Sequence, residues 1–296
     1  EQTEFVGEGK IMEKVKRWAL RGFLGLALLA GLLLITVYGL SQLVIGQKFE
    51  PVERAFTAPT DADADSIAEG GRLALIAGCY NSCHGEGAEG QDFFGLTAPN
   101  LTRLVHEYSD AELEAAIRQG IRPDGAGLFA MPAESFAYMS DDDLGRIIAY
   151  LRSIPRSSND PGPRRFPVML RGFLLFLKYW EGVELLQPNQ IGEATPPASA
   201  PEEQKAFGRY LAKSYCSECH GVDLFGGDRF PDLIVASGYR LDEFQSLMTL
   251  GQTFDGRELT LMALVAQGRF SHFNAAEVEA LYAFLTSEEF TTAERE

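Results

Sequence analysis

Cysteine and histidine are scarce in this chain, with four of each among 296 residues. All four cysteines and two of the histidines fall into two short stretches, CYNSCH at 79–84 and CSECH at 216–220. A structural zinc site would want a second Cys/Cys or Cys/His pair near each stretch, and no further cysteine exists to supply one. A disulfide framework would leave the recurring histidine unexplained. Positive charge is also short: 26 Lys and Arg stand against 42 Asp and Glu, a formal net charge of −16. No basic run follows residue 21, so the chain lacks the face that neutralises phosphates, which excludes a nucleic-acid partner and leaves proteins and small molecules. Strand patterning is sparse, because few stretches alternate with period two.

Charge is missing altogether from Gly22 to Gln47, a run of 26 residues. As a helix at about 1.5 Å per residue it exceeds the roughly 30 Å hydrocarbon core of a bilayer. Lys10, Lys14, Lys16, Arg17 and Arg21 precede it, and the acidic stretch TDADAD follows soon after it. The positive-inside rule then places the N-terminus in the cytoplasm and everything after residue 48 outside. The apolar run is long and no small-x-small cleavage site is clear, so it reads as an uncleaved single-pass anchor in a bacterial cytoplasmic membrane rather than a signal peptide.

What is present after the anchor is a repeat. Gly71-Arg72-Leu73 begins eight residues before Cys79, and Gly208-Arg209-Tyr210 begins eight before Cys216. Pro99-Asn100-Leu101 matches Pro231-Asp232-Leu233; a methionine follows that proline by 32 residues at Met131 and by 31 at Met262. Asp124-Gly125 and Asp255-Gly256 each begin seven residues before that methionine. Each copy closes with a helical pattern capped by Ser140 or Asn274 and acidic in its first turn. The predicted layout is a tail at 1–21, the span at 22–47, a linker at 48–65, a helical domain at 66–155, a linker at 156–201, a second domain at 202–288 and a tail at 289–296. The second linker is rich in Pro, Ser and Gly and carries an amphipathic helix at about 168–186. Apolar residues at 169, 173, 176, 180 and 183 form its stripe, which either packs on the two domains or meets the membrane interface or a membrane subunit.

C-x-x-C-H is the attachment pattern of a c-type haem: two thiols add to the vinyl groups and the adjacent histidine is carried beneath the iron. Cys216, Cys219 and His220 fit it directly. Cys79, Cys83 and His84 contain one more residue between the thiols, which can bulge from the short loop without moving either end; attachment through Cys83 alone is the alternative. The expected cofactors are therefore two covalently bound haem c groups. Met131 and Met262, at corresponding places in the repeat, are the expected sixth ligands, so the predicted metal ligands are His84, Met131, His220 and Met262. Met139 and His106 compete in the first copy, and Met248 and His272 in the second; none has a matching residue in the other copy.

These landmarks together resemble class I cytochrome c, in two tandem domains over nearly all the chain after residue 65. The resemblance implies an all-α fold, in which the carbonyls of Pro99 and Pro231 accept a hydrogen bond from the histidines. It also implies that Gly71 and Gly208 let the helix before the cysteines cross the last helix near Tyr150 and Tyr282 or their neighbours. Departures are the enlarged loop after Cys79 and Ala263 in place of proline after Met262. The layout looks like membrane-bound dihaem cytochrome subunits that pass electrons between redox partner proteins without being enzymes themselves. The competing expectation is a dihaem redox enzyme, peroxidase-like or thiosulfate-oxidising, which needs an open or displaceable iron ligand.

Overall fold

A computed structural model describes residues 2–93, 95–179, 201–227 and 230–293. In chain order the helices are α1 (Gln2–Ile45), α2 (Ala64–Ile76), α3 (Leu101–Glu107), α4 (Asp110–Arg118), α5 (Ala133–Phe136), α6 (Asp141–Ser153), α7 (Val168–Tyr179), α8 (Pro201–Leu211), α9 (Ser217–His220), α10 (Leu241–Leu250), α11 (Thr260–Gly268), α12 (Ala275–Leu285) and α13 (Glu288–Thr291). A small antiparallel hairpin, β1 (Gln91–Phe93) with β2 (Leu96–Ala98), stands between α2 and α3. The fold is thus helical, as the sequence predicts. Two compact units divide it, residues 1–47 with 166–185 and residues 48–165 with 186–296.

In the first unit, Met12–Ile45 is long and apolar enough to cross a membrane, and its large side chains stand exposed as such a helix requires. Its last turns pack against α7. Arg171 Nη1 donates to Ser41 Oγ at 3.0 Å and to Gln42 Oε1 at 2.9 Å, and the guanidinium lies 4.3 Å from the centre of the Tyr38 ring. Leu174, one turn on, is buried beside it. The face that meets α1 is therefore the one carrying Arg171, and the expected stripe points elsewhere: Met169, Phe173 and Phe176 are exposed. Positions 180 and 183 lie outside the described residues.

The second unit holds both repeats. Helix α2 packs on α6 in the first and α8 on α12 in the second. Helix α6 starts at Ser140, whose side chain accepts the amide of Asp143, and α12 starts at Asn274, which forms a reciprocal capping box with Glu277. Glycine makes each crossing possible. A Cβ on Gly70 would lie 2.0 Å from Arg146 O, and one on Gly208 would lie 1.9 Å from Ala280 O. Gly71 rests against the Tyr150 ring, and Gly208 also meets Phe284. Arg146 and Ala280 each stand six residues after their caps, so the structural counterpart of Gly208 is Gly70 rather than Gly71. The first repeat thus carries one extra residue between this glycine and its first cysteine, besides the one between its cysteines.

The stretch after α6 is fastened to the first repeat. Asn100 Nδ2 donates to Ser157 O at 3.2 Å and Asn159 O at 2.9 Å, Asn159 Nδ2 donates to Glu89 O at 2.8 Å, and Thr97 Oγ1 donates to Pro163 O at 2.9 Å. Residues 157–163 are a strap over the Pro99 segment.

Candidate functional site

The two cysteine loops are approached differently. Helix α2 stops at Ile76, and Gly78 in the left-handed region (φ 75°) turns the chain so that the amides of Cys79 and Tyr80 both return to Ala74 O. The longer loop then places Asn81 at φ 54°, a conformation that asparagine tolerates, and the Asn81 side chain accepts the amide of Gly87 at 3.1 Å. Tyr80 meets the Tyr150 ring edge-on at 5.8 Å. In the second repeat the helix runs on through a π turn, Ala212–Cys216, into α9. There Cys216 and Cys219 are three residues apart on one helical turn, which sets them on one side.

Beyond each histidine the two repeats share three positions of positive φ, and the first adds a fourth at Gly87 (φ 64°). Gly85 and Gly221 have φ of 79° and 78°; Ala88 and Leu224, each four residues past its histidine, have φ of 60° and 71°; Gly90 and Gly226, each six past, have φ of 82° and 75°. The amide of Gly90 donates to His84 O at 2.7 Å and that of Gly226 to His220 O at 2.8 Å. Ala88 and Leu224 are fully buried, which holds a backbone conformation that costs a non-glycine residue about 1–2 kcal/mol.

This turn delivers each imidazole to a proline carbonyl. His84 Nδ1 is 3.0 Å from Pro99 O and His220 Nδ1 is 2.8 Å from Pro231 O. A carbonyl only accepts, so Nδ1 carries the proton and Nε2 presents a free lone pair. Burial lowers the pKa of both rings, with the proline carbonyl opposing it, which keeps each one neutral and competent as a ligand. Fifteen residues separate His84 from Pro99, but eleven separate His220 from Pro231. The β1–β2 hairpin takes up the difference while the contact stays the same.

The four thiols are unpaired. Burial pushes Cys79 and Cys216 up to about 12 and raises Cys83 and Cys219 as well. With two thiols and one imidazole on a single short loop, the donor set matches covalent haem c.

Met131 and Met262 are half-buried against the core. Met131 directly precedes the Pro132 cap of α5, whereas Met262 lies within α11. Their rivals are placed otherwise: Met139 and Met248 are buried core residues, His106 is exposed on α3, and the His272 carbonyl accepts from Arg72 Nη1 at 2.9 Å.

The two sites are neighbours. Ser135 Oγ of α5, just beyond Met131, is 2.9 Å from Ser217 Oγ, which stands between Cys216 and Cys219. Several residues that shape these sites have no role in the sequence reading, namely Gly90, Gly226 and Asn159, while Asn100 and Tyr210 stand there only as landmarks of the repeat; the Tyr210 hydroxyl accepts the Ser140 amide at 3.2 Å and donates to Asp143. The glycines had a readable signal, since HGEGAEG and HGVDLFG share glycine at the same two places.

Residues 66–151 match the family described as cytochrome C oxidase, cbb3-type, subunit III. The chain is 27% identical over 275 residues to the fructose dehydrogenase cytochrome subunit of Gluconobacter japonicus, covering 78% of this chain and 54% of that one. It is 28% identical over 184 residues to the cytochrome c subunit of the quinone-type alcohol dehydrogenase of Komagataeibacter europaeus, covering 56% and 38%. It is likewise 28% identical over 187 residues to the gluconate 2-dehydrogenase cytochrome c subunit of Pantoea cypripedii, covering 56% and 41%. The chain spans about half or less of the length of these relatives.

Proposed function

From the premise that residues 66–151 form a cytochrome c domain, which carries a covalently attached haem c, we propose that the whole chain is a membrane-anchored dihaem electron carrier. It would serve as a subunit of a larger redox complex of dehydrogenase type rather than as an enzyme in itself. Cys79, Cys83 and His84 would hold one haem and Cys216, Cys219 and His220 the other, with Met131 and Met262 as the opposite ligands. Haem supplies a one-electron couple at iron, which methionine ligation raises in potential. The chain's own part is orientation: Pro99 and Pro231 fix each imidazole by its Nδ1 proton and increase the donor strength of Nε2. The N-terminus is read as cytoplasmic and the two haem domains as lying on the outer face, from the basic residues ahead of the span.

The observation that carries this reading is the recurrence, in the second repeat, of the histidine–proline bond with the same glycine turn behind it. That recurrence supports a second haem site beyond residue 151, where the family match ends. The relatives are cytochrome subunits of fructose, alcohol and gluconate dehydrogenases, and a dehydrogenase subunit is the electron donor that this analogy favours.

The test is a haem count on the full chain purified in detergent, by pyridine haemochrome and intact mass. Two haems per chain are expected. Met131→Ala and Met262→Ala should each remove the sulfur-to-iron charge-transfer band of one haem, while Met139→Leu and Met248→Leu leave both bands in place. A single haem, or bands indifferent to Met131 and Met262, would refute the assignment.

A further inference from the structure

Arg269, just past the end of α11, lies between the two cysteine loops. Its Nε donates to Ile76 O at 2.8 Å, the last residue of the helix that leads to Cys79. Its Nη1 donates to Glu218 Oε2 at 2.8 Å, and Glu218 sits between Cys216 and Cys219. The guanidinium also packs against the backbone of Gly78, where an added Cβ would lie 3.3 Å from it. One side chain of the second repeat thus touches the residue before Cys79 and the residue before Cys219.

The side chain is only 11% exposed, and its Nη2 has no hydrogen-bond partner among the described residues. Burying a guanidinium costs several kcal/mol, and one partly exposed carboxylate offsets only part of that. For the fold alone this is a poor arrangement, since an uncharged side chain could fill the space at less cost. Its charge nevertheless reaches all four thiols, where it opposes the effect of burial.

We propose that Arg269 is a shared positioning and electrostatic residue of both haem sites: one buried cation that clamps the two attachment loops together and raises the reduction potential of both haems. Reduction adds one electron at an iron and neither makes nor breaks a bond. A fixed positive charge in a low-dielectric setting favours the reduced state at either site. Because the cation is common to both, it shifts the two potentials in the same direction, and the clamp ties the two attachment loops together. Glu218 opposes it, more strongly at the second site, in whose loop it lies. This inference rests on the dihaem reading above.

The experiment is a spectroelectrochemical titration of the intact, haem-loaded chain and its variants, resolved into two one-electron components. Arg269→Gln should lower both midpoints, by on the order of a tenfold change in the reduced-to-oxidised ratio at fixed potential, which is about 59 mV for a one-electron couple. Arg269→Lys, which keeps the charge and loses the fork geometry, should restore most of that shift. Glu218→Gln should raise both midpoints, the second haem's more. With two haems attached, unchanged midpoints in Arg269→Gln overturn the proposal, as do equal shifts in the Gln and Lys variants, which would mark a packing effect. If Arg269→Gln does not accumulate, Glu218→Gln carries the test, and a fall or no change there overturns the proposal. Fewer than two haems in the unaltered chain overturns the dihaem reading and this inference with it.

Discussion

Arg72 of the first repeat and Glu277 of the second form a two-pronged ion pair, with Nη1 and Nη2 each donating to a carboxylate oxygen at 2.8 Å. The same carboxylate caps α12 by accepting the Asn274 amide at 2.8 Å, and Glu69 holds the opposite side of the guanidinium. One carboxylate thus joins the start of α12 to the helix that leads to Cys79. Glu277→Ala should destabilise the second unit by about 2 kcal/mol, between the ~1 kcal/mol of a lost cap and the ~3 kcal/mol of a broken buried pair. Glu277→Gln, which keeps the cap, should cost about half as much, and the combination with Arg72→Met should be less than additive. Chemical denaturation of the haem-loaded protein, followed by far-ultraviolet circular dichroism, checks all three.

Acid should loosen this junction. The hydrogen bond from Arg72 holds the Glu69 carboxyl below its ordinary value. A carboxyl depressed in the folded state contributes stability that is complete above the ordinary glutamate range and lost as pH falls through the depressed value. Asp143 runs the other way: burial raises it, so its contribution is present at low pH and lost as pH rises through its raised value. Thermal melts from pH 7 down to pH 3 should therefore fall less steeply in Arg72→Met than in the parent, and more steeply in Asp143→Asn. Identical pH profiles in all three proteins would count against the pairings.

Tyr210 joins the repeats at a second point, entering the first turn of α6 from the second repeat. Its buried hydroxyl accepts from the Ser140 amide and donates to Asp143. Tyr210→Phe leaves both groups without that partner and should cost about 1–3 kcal/mol. The same change should move the Asp143 carboxyl further up, since the tyrosine bond now lowers it. Carboxyl resonances followed by NMR across the titration measure that movement directly.

The crossing glycines should differ sharply. At Gly70 and Gly208 a methyl group would strike a backbone carbonyl oxygen at about 2 Å, and backbone in the opposing helix has no rotamer to yield. Gly70→Ala and Gly208→Ala should each cost about 3 kcal/mol or more, the upper range for overpacking. Gly71→Ala meets the Tyr150 ring at 2.8 Å, where a side chain can shift, and should cost about 1 kcal/mol. Protein yield and denaturation midpoints separate the two classes.

Much of this molecule is legible in the order of its residues. The uncharged run from Gly22 to Gln47 excludes most alternatives to a membrane helix, because chain length and charge are properties of the sequence itself. The cysteine–histidine loops, the caps Ser140 and Asn274 and the helical class are likewise local, set by spacing within a few residues. The register of the repeat was only partly legible. Counting back from the cysteines pairs Gly71 with Gly208, but helix contact pairs Gly70 with Gly208, since what matters is which Cβ would meet the opposing carbonyl.

Other features could be decided only by tertiary structure. The stripe at 169, 173 and 176 gave no hint that Arg171 would be the buried face of its helix, because the polar and aromatic partners, Tyr38, Ser41 and Gln42, lie some 130 residues away in sequence. Nothing in the spacing of Arg72, Tyr210 or Arg269 marks them as bridges between the repeats. Each reaches its partners across 50 to more than 200 residues, and a side chain buried at such a junction obeys the neighbours it meets in space rather than those beside it in the chain.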